Sequence, residues 1–218
     1  MRKYWNAQQK ALRLALKDMG DYPAALRLFL QQHAMVHSAA MSGADLWSFE
    51  DELWQGLSEA DARRIAPGTE HSIAWIMWHI ARIEDVTMNI LVAGGAQVML
   101  GGRWHEQMNV AARDTGNAMP AEQVALLSDT IHLPALRAYR LHVGQQTRAV
   151  VQRLSPSELF QKVTPVRLGQ LVSDGAIVPA AQAVLDYWGG LTIAGMLLMP
   201  PTRHNFIHLN EALRLKKM

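Results

Sequence analysis

Two pairs of histidines in this chain stand four positions apart, His33 with His37 and His204 with His208. A further histidine, His79, sits in the middle of the apolar stretch SIAWIMWHIARIEDVTMNIL. Neutral imidazoles bind borderline divalent ions, and two rings one helical turn apart on one face can converge on a single ion. Three such rings leave a coordination position free, as catalytic zinc sites do. Nine histidines scattered at random would give roughly a third of one such pair, so two pairs modestly exceed chance.

Advancing each helix by 100° per residue shows where these rings point. His79 lies at the centre of a stripe formed by Ser72, Trp75, Ile76, Ile83, Val86 and Ile90. Arg82, Asp85 and Asn89 gather on one flank and Glu84 on the other, so Glu84 and Asp85 are predicted to be solvated. His71 is predicted to be exposed. In TRHNFIHLNEAL, His208 shares an arc with Ala212 and Leu215 and His204 lies at its edge, while Asn210 and Arg214 take the wetter side. His33 and His37 share a stripe with Leu26, Phe29 and Leu30, so the wheels do not exclude them from an inward site. A single inward histidine is most simply a core imidazole bonded to a carbonyl or carboxylate. Several inward rings from different helices are the setting in which bundle cores build metal sites. His33 and His37 are candidate catalytic residues, as a base or ligand-orienting pair. Arg203 is a candidate anion anchor, and His105 reaches a site only if the long connection carrying it folds over.

Other chemistries are excluded. There is no cysteine, hence no disulfide, thiolate ligand or cysteine nucleophile. The terminal pair reads HNFIH, which lacks the glutamate base of HExxH. Glu-x-x-His pairs for a di-iron bundle are missing from the inward stripes. GxGxxG, GxxxxGK[ST] and GxSxG are absent. A formal charge of +2 without a long basic cluster gives no reason to expect nucleic acid. The amphipathic N-terminus is unlike a signal peptide, and the Trp188–Pro201 run is too short to span a bilayer, so no membrane association and a cytoplasmic location are expected.

The elements that position the histidines are helical, since Leu, Ala, Gln, Met and Arg dominate and β-branched runs are scarce. Helices are predicted from Pro23 to about Met41, over Trp47–Arg64 with a cap at Ser58, from Thr69 or His71 to Gly94-Gly95, and over Leu133–Leu154. A last region from Pro179 to Lys216 is broken at Pro200-Pro201, with Thr202 as the cap of its second part. The glycine-rich connection beginning at Gly94 has no sustained periodicity and is read as a crossover. The expected fold is all-α: a four-helix bundle with a long crossover and accessory helices, one domain over residues 1–218, with residues 1–21 as an N-terminal extension.

SIAWIMWHIARIEDVTMNIL, followed by RAYRLHVGQQTRAVVQRL and then TRHNFIHLNEAL, resembles the DinB/YfiT-like superfamily of small bacterial metalloproteins, from about Tyr22 to Leu215. The resemblance implies a four-helix bundle and a divalent metal held by three histidines, which by position are His79, His204 and His208. Similar proteins include transferases that use low-molecular-weight thiols and a mycothiol-dependent isomerase. The extension at the N-terminus and the Pro156–Pro179 stretch depart from the compact family pattern, and that pattern does not require His33 and His37. The expected function is a metal-dependent transferase acting on a small-molecule substrate, with zinc or nickel and a low-molecular-weight thiol. A metal-dependent hydrolase and a non-enzymatic helical dimerising or scaffold protein with structural histidines are the alternatives, and a homodimer is the candidate assembly under each reading.

Overall fold

The computed structural model describes residues 1–17, 21–43 and 46–218. Among these residues the regular structure is helical, and the one ladder contact is an isolated bridge between Lys162 and Thr192. The protein is all-α. Helices α1 (Arg2–Ala15) and α2 (Tyr22–Met35) pack side by side. Three short pieces, α3 (Ala39–Ser42), α4 (Phe49–Trp54) and α5 (Glu59–Arg63), lead to α6 (Ile73–Asp85), which continues as a π-helical stretch over Val86–Val92. The crossover carries α7 (Val98–Gly101), α8 (Trp104–Gln107) and α9 (Ala121–Thr130) before the long α10 (Leu133–Arg153). After α11 (Pro165–Ser173) and α12 (Gln182–Gly189), α13 (Ile193–Leu198) passes through a π turn, Met199–His204, into α14 (Asn205–Leu215). No described helix is long and apolar enough to cross a membrane.

Local chemistry sets most boundaries. Asp21 accepts the Ala24 amide and Pro23 occupies the first turn of α2, while Ser72 accepts the Trp75 amide at the start of α6. The first predicted helix stops at Met35 instead of Met41, because Arg140 of α10 bonds the Val36 carbonyl (2.6 Å) and Glu50 bonds the Ser38 amide (3.2 Å), drawing the chain into a turn. The predicted Trp47–Arg64 helix divides in two: Gly56 reverses the chain at φ +68°, and Ser48 and Ser58 each cap a helix of their own. Thr202 does not cap the last helix. Pro200 and Pro201 lack the amides an α-ladder needs, the chain widens into a π turn, and the Thr202 hydroxyl donates to the Leu197 carbonyl freed there (2.9 Å). The N-terminal extension is an integral packing element. Trp5, 1% exposed, stacks on Phe206 of α14 with centroids 3.8 Å apart.

Helix α6 is the shared centre, touching α5, α9, α10 and α14. Every residue from Ile73 to Asp85 is buried, charged ones included. Glu84 and Asp85 are therefore not solvated, contrary to the expectation from the wheel, and both are fully buried. Asp85 accepts from Arg82 Nη1 (3.0 Å), the Tyr139 hydroxyl (2.6 Å), Asn89 Nδ2 (2.8 Å) and the backbone amides of Val98 (2.8 Å) and Met99 (2.9 Å). Arg82 donates onward to Gln97 Oε1 (2.7 Å) and the Arg113 carbonyl (2.6 Å). The crossover is thus folded onto α6 by backbone groups satisfying a buried ion pair. Truncating one member strands the other in low dielectric. Asp85→Ala is expected to lower the unfolding free energy by about 3–5 kcal/mol in a urea titration, whereas a loss under about 1 kcal/mol would show that the pair does not hold the crossover.

Candidate metal centre

Helix α6 presents His79, and the π turn and α14 present His204 and His208. Their ring centroids lie 5.1 Å (His79–His204), 5.2 Å (His79–His208) and 4.5 Å (His204–His208) apart. One nitrogen from each ring can be chosen so that all three lie within 4.8 Å of one another. His204 has helical φ and ψ although it closes the π turn, so it and His208 keep the one-turn spacing of an α-helix.

The outer nitrogens decide what the inner ones can do. His79 Nδ1 donates to the Thr115 carbonyl (2.6 Å), and His208 Nδ1 pairs with Glu211 Oε2 (2.9 Å). An imidazole whose Nδ1–H is held by an acceptor offers its Nε2 lone pair, the outer-sphere arrangement of metal-bound histidines. His204 Nδ1 has no partner among the described residues. Burial, reinforced by the neighbouring His208, pushes His79 down to about 3, and burial with His79 and His208 nearby holds His204 well below the usual histidine range. The hydrogen bond from His208 keeps Glu211 below the usual carboxylate range. The His79 and His204 rings are neutral at pH 7, the form that binds a cation. The donor set fits a divalent ion.

Neighbours complete the setting. Trp75 stacks on His79 (centroids 4.8 Å apart) and on the other side on His71 (3.8 Å), so His71 is half-buried instead of exposed. A hollow of about 100 Å³ lined by Ile83, Met199, Pro200, Tyr187 and Trp188 opens beside His204. A larger cavity of about 810 Å³ lies beyond Trp75, whose indole N–H points to Met119 Sδ (3.2 Å) in its wall.

The other candidates fall elsewhere. His105 lines the larger cavity and bonds Arg113 (3.1 Å), apart from the triad. Arg203 is exposed on the π turn next to His204. His33 and His37 are buried but face a different partner: their Nε2 atoms lie 2.8 Å from the two oxygens of Glu84. The sequence reading missed Thr115, Glu211 and Glu84. Glu211 had a visible signal, since it stands three residues after His208 on one helix face. Thr115 had none, because a backbone carbonyl carries no side-chain signature.

The sequence model of the DinB superfamily matches residues 45–210. The chain belongs to the DinB superfamily. No curated protein matches the chain. The superfamily match spans His79, His204 and His208, whereas His33 and His37 precede it.

A histidine held neutral by burial resists acid only until protonation pulls the fold apart. His79 has a folded pKa far below its ordinary 6.5, so the unfolded chain binds the extra proton as pH falls below about 6.5 and stability drains away toward pH 3. Chelator-treated protein is expected to lose about 1.4 kcal/mol per pH unit for each such group below pH 6.5, read from urea midpoints at pH 7.5, 6 and 5. An unchanged midpoint across that range would contradict neutral burial of the ring.

Proposed function

We propose that this DinB-superfamily protein is a metal-dependent transferase that joins a low-molecular-weight thiol to an electrophilic small molecule. The observation that carries the proposal is the convergence of His79, His204 and His208 with the outer nitrogens of two rings already engaged. A divalent ion held by three imidazoles, zinc first and nickel second, supplies Lewis acidity that favours a thiolate near neutral pH. The chain has no cysteine, so the sulfur arrives with the co-substrate. Thr115 and Glu211 hold His79 and His208 in the ligating tautomer, and Trp75 fixes the plane of the His79 ring from one face. The hollow beside His204 has apolar walls from Ile83, Met199 and Trp188, which suits an electrophile with a hydrophobic body and excludes water around it. Arg203, exposed on the turn leading to His204, is the candidate anchor for a carboxylate of the thiol co-substrate, and His105 with Arg113 a second anchor at the larger cavity.

The test is consumption of a panel of low-molecular-weight thiols with haloaromatic and epoxide electrophiles by zinc- or nickel-loaded protein. Wild type is expected to turn over only with thiol present. His208→Ala is expected to lose at least about 100-fold in kcat/KM. Glu211→Gln, which keeps the hydrogen bond but not the charge, is expected to lose about 10–100-fold in metal affinity or rate. Turnover of esters or amides by the same protein with no thiol added would replace the proposal with a hydrolase.

A further inference from the structure

Behind the triad lies a second constellation that the proposed reaction does not use. Glu84 of α6 is fully buried, and its two oxygens meet two imidazoles: His33 Nε2 at 2.8 Å from Oε1 and His37 Nε2 at 2.8 Å from Oε2. The three side chains are 0%, 1% and 0% exposed for His33, His37 and Glu84. Asn205 Nδ2 donates to Oε2 as well (2.6 Å). Among the described residues no lysine or arginine bonds this carboxylate. Arg140 bonds Glu50 through Nε (2.6 Å) and the Val36 carbonyl through Nη2 (2.6 Å), and its Nη1 has no partner among the described residues. A buried carboxylate without a bonded cation is expensive, and buried charges are ordinarily paired or coordinate a metal.

The backbone is shaped around this cluster. His33 lies near the end of α2 and His37 in the turn that follows, so the rings approach from successive turns, with centroids 4.3 Å apart. The Arg140 bond to Val36 sets the residue before His37. Gly144, in the interior of α10, leaves the room the second ring needs: a Cβ there would stand 2.8 Å from His37 Nδ1. Glycine in a helix interior costs roughly 0.5–1 kcal/mol relative to alanine, so a close approach explains its place. One donor atom from each of the three residues lies within 4.8 Å of the others. His33 Nδ1 and Asn205 Oδ1 have no partner among the described residues. Unlike His79 and His208, His33 has no acceptor on its outer side, so moving its proton from Nε2 to Nδ1 frees the inner nitrogen to ligate at the cost of an unpartnered Nδ1–H.

We propose that His33, His37 and Glu84 form a second metal site, separate from the triad, for a first-row divalent cation that takes mixed nitrogen and oxygen donors. Two imidazoles and one carboxylate are the ligand set of ferrous and manganous sites, harder than three imidazoles. The cation neutralises the buried carboxylate, and Asn205 steadies the carboxylate oxygen that its amide bonds. Asn205 follows His204 directly, which places the two sites on adjacent residues of one helix. His33 and His37 lie outside the segment matched to the superfamily, and Glu84 and Asn205 lie inside it.

Co2+ is the probe, followed by calorimetry and visible absorption on the full chain. Wild type is expected to bind about two equivalents, the His204→Ala/His208→Ala variant about one, and that variant with Glu84→Gln none. Glu84→Gln alone is expected to keep about one equivalent at the triad, which also reports that it folds; if it does not fold, His33→Gln takes its place with the same expectation. Wild type binding one equivalent that vanishes in the His204→Ala/His208→Ala variant would overturn the second site, as would Co2+ retained after Glu84→Gln is added to that variant. Wild type binding one equivalent that survives in the His204→Ala/His208→Ala variant supports the second site and contradicts the triad.

Discussion

The arrangement depends on a helix that is buried on every side yet carries three charged residues. Arg82, Glu84 and Asp85 stand within one turn of α6 and are all fully buried. Each needs partners that water cannot supply, and the rest of the chain is folded to provide them. Asp85 and Arg82 take amides and carbonyls from the crossover at residues 98, 99 and 113. Two residues further on, the same crossover delivers the Thr115 carbonyl to His79. Glu84 draws in His33, His37 and Asn205. One helix therefore ties the N-terminal region, the crossover and the terminal helix to a common frame.

That frame places the three rings of the triad on helices and a helical turn. His79 stands on a buried helix, its outer nitrogen fixed by a carbonyl whose own segment is pinned by Arg82. His204 and His208 stand on α14, which Trp5 clamps through its stack on Phe206. The π turn at Pro200-Pro201 sets where that helix begins, and Thr202 closes the turn with its hydroxyl. Ligands carried on helices and held by outer hydrogen bonds lose little freedom when an ion binds, and this favours affinity.

The helical period made the triad legible. The wheels turned His79, His204 and His208 inward together with His33 and His37, because an apolar stripe on each helix shows which way is inward; the choice of three among these five came from the superfamily resemblance. The same wheel misplaced Glu84 and Asp85. It measures an angle from the stripe, and on a helix surrounded by protein that angle no longer separates buried from exposed. The two carboxylates read as solvated because their partners, the Val98 and Met99 amides and the His33 and His37 rings, lie far along the chain. Helix ends were mistaken where a distant side chain ended them, as Arg140 does at Val36. The break at Pro200-Pro201 was legible because proline removes its own amide, but the π turn that absorbs it was not. The docking of the N-terminal helix depends on Trp5 meeting Phe206 across the whole chain, which no local pattern records.

In the proposed centre His79, His204 and His208 together hold a divalent ion, with the outer nitrogens of His79 and His208 kept protonated by Thr115 and Glu211. The most direct measurement is the imidazole nitrogen spectrum of isotope-labelled protein before and after zinc is added. The Nε2 resonances of His79 and His208 are expected to move into the range of a metal-bound nitrogen, while their Nδ1–H protons persist and exchange slowly, and the His204 ring is expected to shift with them. Zinc that leaves the His79 nitrogens unchanged, or removes the proton facing Thr115, would contradict a metal centre of this arrangement.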